Sequence, residues 1–451
     1  MLHLFDTAQG KVVPFEPREP GKVSMYVCGP TVYGPPHLGH GRFSLVFDVL
    51  RRYLTWTGLE VNYVSNITDI DDKIINRAND EGRDWSDIAQ KCEQVWWKAM
   101  EAIGVERPTS DPHATAYVHQ MVELIADLIT RDVAYVSDDG VYFSPTSVAD
   151  YGLLARQSIE SLQAGARVEV ADHKHSPIDF ALWKFTKPGE PAWPSPWGEG
   201  RPGWHSECVV MSLQLLGEGF DLHCGGADLR FPHHENERAQ AVALGKTFAN
   251  HWMHNGFVVD TDGEKMSKSL GNVTNLLDLV EHYDPRAYRM LLLQTHYRSP
   301  VRVGQDNIDA SVKAVGSIDG FFARMSEVST NATADEATLQ SFRAAMNNDL
   351  DTPGATALMF DTIRKANAAL DVNDHVLAGA LAGAVGEMCV AFGLQVNAFA
   401  EVSADIVEKA QQLDAARAAK DFAAADALRN ELQAAGYVVE TTKEGTKVRR
   451  G

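Results

Sequence analysis

The stretch "CGPTVYGPPHLGHGR" (residues 28–42) decides how the first hundred residues fold. Upstream of it, "VSMYVCG" (23–29) is a short apolar run that reads as a buried strand. Gly-Pro and Pro-Pro cannot continue that strand, so the chain turns directly after Cys28. Downstream, Phe43, Val46, Phe47, Leu50 and Leu54 recur at helical spacing, and Gly58 supplies a stop. "VNYVSNI" (61–67) is a second strand, and "IDDKIINRANDEG" begins another helix. Strand, helix and strand joined by short connections predict a parallel sheet of the nucleotide-binding kind, a Rossmann-like α/β fold.

The same stretch carries chemistry. His37 and His40 are three residues apart at the helix start and project to one side. Gly39 between them leaves backbone bare, so a flat ligand such as a nucleotide base can lie close. A helix N-terminus favours anions. Two imidazoles there can donate hydrogen bonds to a phosphate whose charge grows in a transition state. Far downstream, "GEKMSKSLGN" (263–272) sets Lys265 and Lys268 on a Gly- and Ser-rich loop, a cationic pair suited to closing over a polyphosphate.

A third constellation has the donor types of a zinc site. "FPHHENERAQAVALG" reads as a helix on which His233 and Glu237, four apart, share a face. Cys208 ends "PGWHSEC", and Cys28 lies at the tip of the first strand. Two thiolates, an imidazole and a carboxylate make a zinc tetrad, although only the His-x3-Glu part is local. His234 is an alternative ligand, pointing about 100° around the helix from His233. Cys92 and Cys389 read as small core residues.

The chain of 451 residues is too long for one ordinary core. No stretch approaches eighteen apolar residues, so neither a membrane span nor a secretory signal is expected. Five widely spaced cysteines argue against a disulfide framework and for a reducing cytoplasm. A formal charge of −20 argues against indiscriminate nucleic-acid binding, which rests on phosphate neutralisation, but leaves room for a specific RNA held by local basic patches. The C-terminal "TTKEGTKVRRG", with four Lys or Arg against one Glu, is such a patch.

The organisation predicted is a first half of the Rossmann domain over 1–112, then a connective insertion over 113–203. The second half follows over 204–260, and a closing-loop region over 261–305. An alanine-rich helical bundle is expected over 306–400 and a small terminal unit over 401–451. "AYVSDDGVYFSP" in the insertion looks like a hairpin, and "KPGEPAWPSPWGEGRPGW" (187–204) like an exposed loop or boundary.

His-Leu-Gly-His followed by Lys-Met-Ser-Lys-Ser resembles the signature pair of class I aminoacyl-tRNA synthetases. With "NITDIDDKII", "PIDFALWK", "RPGWHSEC" and "DLHCGGADLRFPHHENE", the resemblance narrows to the cysteinyl-tRNA synthetase family and covers the whole chain. It implies zinc on Cys28, Cys208, His233 and Glu237, and ATP, with Mg²⁺, at His37, Gly39, His40 and Lys268. It assigns His37, His40, Lys265 and Lys268 to catalysis, and Asn66, Thr68, Trp204, Gly226 and Asp228 to the cysteinyl-adenylate pocket. It further implies L-cysteine and tRNA(Cys) as substrates, a cytoplasmic monomer, an anticodon-reading C-terminal end, and zinc selecting the substrate thiolate. Two alternative readings are a cysteine ligase of mycothiol synthesis, which shares the catalytic core, and a non-catalytic RNA-binding paralogue that uses zinc only structurally. The chain departs from the family pattern at Gly34, at Cys224, where glycine is frequent, and at Val448, where tryptophan is frequent.

Overall fold

A computed structural model describes residues 1–159, 161, 174–259, 275–328, 332–397, 404–434, 437–442 and 445–450. The chain divides into two compact units. The first comprises Met1–Glu281, His296–Arg302 and Met346–Leu350; the second comprises His282–Thr295, Val303–Ala345 and Asp351–Gly451.

The first unit opens with an antiparallel pair, β1 (His3–Asp6) and β2 (Lys11–Pro14). Its main sheet is parallel. β3 (Lys22–Val27) lies between β4 (Glu60–Ser65) and a strand far along the chain. The β3 interior Val23–Val27 is buried, as a strand covered on both faces must be. The helix Leu38–Trp56 crosses from β3 to β4 and buries Leu45, Phe47, Leu50, Tyr53 and Leu54. It begins five residues before the apolar periodicity does, because His37 caps it. Gly58, with φ +95, then redirects the chain.

Between β4 and the later strands lies an antiparallel sheet of β5 (Ala134–Ser137), β6 (Gly140–Phe143), β7 (Phe180–Phe185) and β8 (Gly200–Pro202). The helix Val118–Thr130 buries Val118, Ile125 and Leu128 against Val141, Phe143 and Trp183 of this sheet. The Pro- and Gly-rich run 187–204 differs from its sequence reading, since it contributes the buried strand β8. A Cβ on Gly200 would fall 2.2 Å from the Lys184 carbonyl oxygen, so glycine serves close packing there.

The parallel sheet is completed by β9 (Phe220–Gly226) and β10 (Ala249–Asn255), in the order β10-β9-β3-β4. Register sets Cys224 beside both Val27 and Met253, and Val27 beside Ser65. The carboxyl ends of β3, β9 and β10 therefore come out at one edge, where open α/β sheets bind ligands. A short parallel pair, β11 (Val258–Val259) and β12 (Val301–Arg302), follows.

The second unit is helical, with long helices at Gln305–Ser326, Thr352–Asp371 and His375–Phe392. His375–Phe392 is long and apolar enough to cross a membrane by length and composition, which qualifies the sequence expectation. Its Ala378, Leu381, Val385, Met388 and Phe392 are packed inside the unit, as in a core helix. The chain ends in helices Ala404–Ala418 and Phe422–Ala434 and an antiparallel hairpin of β13 (Tyr437–Thr442) and β14 (Gly445–Arg450). Val448 packs on Leu413, Ala425, Leu432 and Val439.

Candidate active site and metal centre

Two assemblies meet at the carboxyl edge of the parallel sheet. The first is local. His37 caps the helix Leu38–Trp56, its Nδ1 accepting the His40 N–H at 3.3 Å, while His40 Nδ1 accepts the His37 N–H at 3.1 Å. This is a reciprocal capping box built from two histidines. Their rings stack with centroids 3.7 Å apart. With Nδ1 of each ring committed as an acceptor, the neutral ring carries its proton on Nε2. A Cβ on Gly39 would lie 2.9 Å from His37 Cε1, so the glycine also makes room for that ring.

The second assembly is buried and drawn from three elements: Cys28 after β3, Cys208 on the helix Trp204–Leu216, and His233 and Glu237 around the start of the helix Glu235–Ala243. That helix begins later than the sequence suggests. Phe231 is extended (φ −143, ψ 133) beside Pro232, so His233 precedes the regular turns. His233 Nε2 nevertheless reaches Glu237 Oε1 at 3.0 Å. The two sulfurs are 3.7 Å apart, Cys28 Sγ to Glu237 Oε1 is 3.6 Å, and Cys208 Sγ to His233 Nε2 is 3.6 Å.

The three sulfur separations fit one tetrahedral zinc ion. Ordinary zinc bond lengths require edges of about 3.8 Å between sulfurs, and about 3.6 Å from sulfur to nitrogen or oxygen. Three of the four side chains, Cys208, His233 and Glu237, favour one another's charged forms as well. Burial disfavours the Cys208 thiolate, but hydrogen bonds from Cys28 and His233 outweigh it and bring the group down to about 6. Burial, then Cys208 itself, hold Cys28 well above the usual range. Burial opposes the His233 imidazolium, yet Glu237 and Cys208 raise it to about 10. Burial likewise works against the Glu237 carboxylate, and His233 and His223 overcome it, holding the group well below the ordinary value.

Sequence reasoning missed several neighbours. His223, in β9, lies 2.9 Å from Glu237 Oε2 and 3.8 Å from Cys28 Sγ. Cys28, His223, His234 and Glu237 form a second, overlapping group of donors. His223 Nδ1 and His234 Nε2 are buried with no hydrogen-bond partner among the described residues. His205 Nδ1 sits 2.9 Å from His233 Nδ1, the nitrogen turned away from the cluster. Glu207 is held well above the carboxylate range, by burial first and by Cys208 next, and accepts from the Thr68 hydroxyl at 2.8 Å.

A cleft of about 260 Å³ joins the two assemblies. His37, Gly39 and His40 stand on its wall with Trp204, Gly226 and Asp228, and Cys28 is the one member of the four-donor cluster there. Trp204 stacks on His233 with centroids 3.8 Å apart. Asn66 and Thr68 are placed differently. Both are buried behind the cleft wall, Asn66 Oδ1 accepting from the Gly29 N–H at 2.9 Å and Asn66 Nδ2 donating to Thr68 Oγ1 at 3.1 Å. Cys224 is buried in β9 and is not among the grouped donors, and Cys92 and Cys389 are buried elsewhere. Lys265 and Lys268 lie outside the described residues.

A parallel sheet with a helix start capped by His37 at its carboxyl edge agrees with the catalytic domain of a class I aminoacyl-tRNA synthetase. Residues 14–313 match the family model of the tRNA synthetases class I (C) catalytic domain, 341–397 the DALR domain, and 414–449 the cysteinyl-tRNA ligase anticodon binding domain. The chain is 45% identical to the cysteine–tRNA ligase of Halorhodospira halophila and 44% identical to that of Cronobacter sakazakii, with all of both chains covered in each case. Among solved structures, the Agrobacterium radiobacter K84 LeuRS in a ternary complex with tRNA matches with a TM-score of 0.65 at 12% identity, over 84% of this chain and 85% of that one. The Mycobacterium tuberculosis methionyl-tRNA synthetase bound to methionyl-adenylate matches with a TM-score of 0.59 at 16% identity, over 82% and 90%. The chain belongs to the cysteine–tRNA ligase family and is an enzyme of that family.

Proposed function

We propose that the chain activates L-cysteine with Mg-ATP to cysteinyl-adenylate and transfers it to the 2′-OH of the terminal adenosine of tRNA(Cys), in the cytoplasm. One observation carries this reading: the sulfur-rich cluster opens through Cys28 into the same cleft as the stacked His37–His40 pair.

In the first step a carboxylate oxygen of cysteine attacks the α-phosphorus of ATP, and the bond to the departing diphosphate breaks. The carboxylate is already ionised at neutral pH, so no general base is needed, and catalysis rests on positioning and charge stabilisation. The backbone holds His37 and His40 through Nδ1, so both rings are oriented at the cleft wall before substrate arrives. Lys265 and Lys268 steady the leaving diphosphate. Trp204, Gly226 and Asp228 wall the amino-acid end, and the Asp228 carboxylate suits the substrate ammonium. Asn66 and Thr68 act from behind, holding Gly29 and Glu207. In the second step the ribose hydroxyl attacks the acyl carbon and AMP departs.

Cys28, Cys208, His233 and Glu237 would hold zinc, which when bound supplies a soft site that takes a thiolate far better than a hydroxyl. A polar requirement of this kind discriminates by about 10⁴–10⁵-fold without an editing step. The match of residues 414–449 to an anticodon-binding domain supports tRNA as acceptor over an amino sugar. Cysteine-dependent exchange of pyrophosphate into ATP, followed by charging of tRNA(Cys), tests the reading. Exchange without charging would favour the amino-sugar ligase; neither activity would leave a non-catalytic paralogue.

A further inference from the structure

The cleft has a second wall, Asn255–Val258, facing the helix start that bears His37 and His40. This wall is one side of a backbone seam. The Gly256 N–H donates to the Tyr297 carbonyl at 2.8 Å, and the Val301 N–H donates to the Phe257 carbonyl at 2.9 Å. β11 and β12 continue the pairing from there. Glycine is required at the tightest point, since a Cβ on Gly256 would lie 2.6 Å from the carbonyl oxygens of both Arg298 and Ser299.

Arg42 enters the seam from the opposite wall. It lies one turn into the helix Leu38–Trp56, is almost wholly buried, and lines the cleft. Its Nη1 donates to the Phe257 carbonyl, and its Nη2 donates to the carbonyls of Ser299 and, at 3.1 Å, of Tyr297. The Phe257 and Tyr297 oxygens thus each take a backbone N–H and a guanidinium N–H. Three carbonyls from two separate segments converge on one planar fork, a geometry that a lysine ammonium does not reproduce.

We infer that Arg42 is a positioning residue: it ties the Asn255–Val258 wall to the helix carrying His37 and His40, and so sets the width of the nucleotide end of the cleft. The inference rests on the reading of that cleft as an ATP site. The four metal donors are not among the groups Arg42 binds here, so its loss should weaken ATP binding and spare zinc and cysteine.

The test uses the zinc-loaded full chain with Arg42→Lys, Arg42→Gln and Gly256→Ala. The last keeps the guanidinium but forces the seam open, and it decides the matter should the buried-arginine variants not fold. The expected result is a rise of tenfold or more in KM for ATP, with KM for cysteine within twofold of wild type and zinc content unchanged. Wild-type KM for ATP in the folded variants, or equal rises in both KM values, would overturn the inference. Direct titration of ATP onto wild type and variants needs no turnover and reads the same tenfold loss. A wild-type chain that binds ATP but shows no cysteine-dependent exchange would overturn the functional reading alone.

Discussion

The His37–His40 pair lines the cleft and the Cys28–Cys208–His233–Glu237 cluster reaches it through Cys28, yet the two are held by different means. The histidines are three residues apart and are fixed by their own helix, each ring accepting the other's backbone N–H. The cluster gathers positions from 28 to 237, and sheet register together with two helix starts brings its donors to within 4.8 Å of one another. A locally held group can be changed with a local penalty. A group held by tertiary register fails as a unit, because every donor is buried, and Cys208, His233 and Glu237 rely on one another for their charge states.

The largest effect should come from breaking the cluster. Cys28→Ser and His233→Ala are expected to lose bound zinc and to abolish cysteine-dependent exchange, since removing mere hydrogen-bond partners of metal ligands already costs roughly 10–100-fold. Helix content by circular dichroism should persist. Full zinc content with wild-type exchange in both variants would remove the cluster from the account.

His40→Ala addresses the other side of the comparison. Loss of a preorganised donor should lower the exchange rate by about 10²–10³-fold, and loss of half the capping box should lower stability by about 1 kcal/mol. Zinc content, measured on the same sample, should not change. If the metal were lost too, the two regions would not be separable.

Gly39→Ala is expected to be milder, because only one ring must move. A Cβ 2.9 Å from His37 Cε1 pushes that imidazole from its stacked position, and a fall of about tenfold in exchange follows from the sensitivity of such reactions to small misplacements. Were Gly39 needed neither for the His37 ring nor for access to backbone, the variant would show unchanged exchange and a helix more stable by up to about 1 kcal/mol.

The smallest effect lies outside both regions. His113 Nε2 is 3.0 Å from Glu93 Oε2. Burial opposes its protonation, but the Glu93 hydrogen bond and charge raise its pKa above the ordinary 6.5. A raised pKa in the folded state means that the contribution is complete below pH 6.5 and fades as pH climbs through the folded value. The pair is partly solvated, so it is worth about 0–1 kcal/mol. The difference in Tm between wild type and His113→Gln should therefore shrink from pH 6 to pH 8.5; a constant difference would contradict the ion pair.

What could be read in advance follows the same division. The β3–helix–β4 unit and the paired histidines are built from neighbouring stretches of chain, where spacing translates directly into geometry. The four metal-type donors are nameable by residue type, but their meeting joins the end of β3 to two helices far along the chain, which spacing does not encode. His223 was overlooked because Phe220–Gly225 is buried throughout, and a histidine in such a run looks like core. His205 was hidden because its partner, His233 Nδ1, is contacted from the far side. Arg42 follows "HLGH" in plain view, yet its three carbonyl partners lie beyond residue 256, and backbone acceptors carry no sequence signal.

The central claim is that the buried donors hold zinc and that the cleft delivers the substrate's sulfur to it. X-ray absorption at the zinc edge, on the zinc-loaded chain with and without L-cysteine, measures this directly. The account predicts two sulfur neighbours at about 2.3 Å in the free enzyme, a third on adding cysteine, and no change on adding serine. A sulfur count that stays at two while cysteine-dependent exchange proceeds would contradict it.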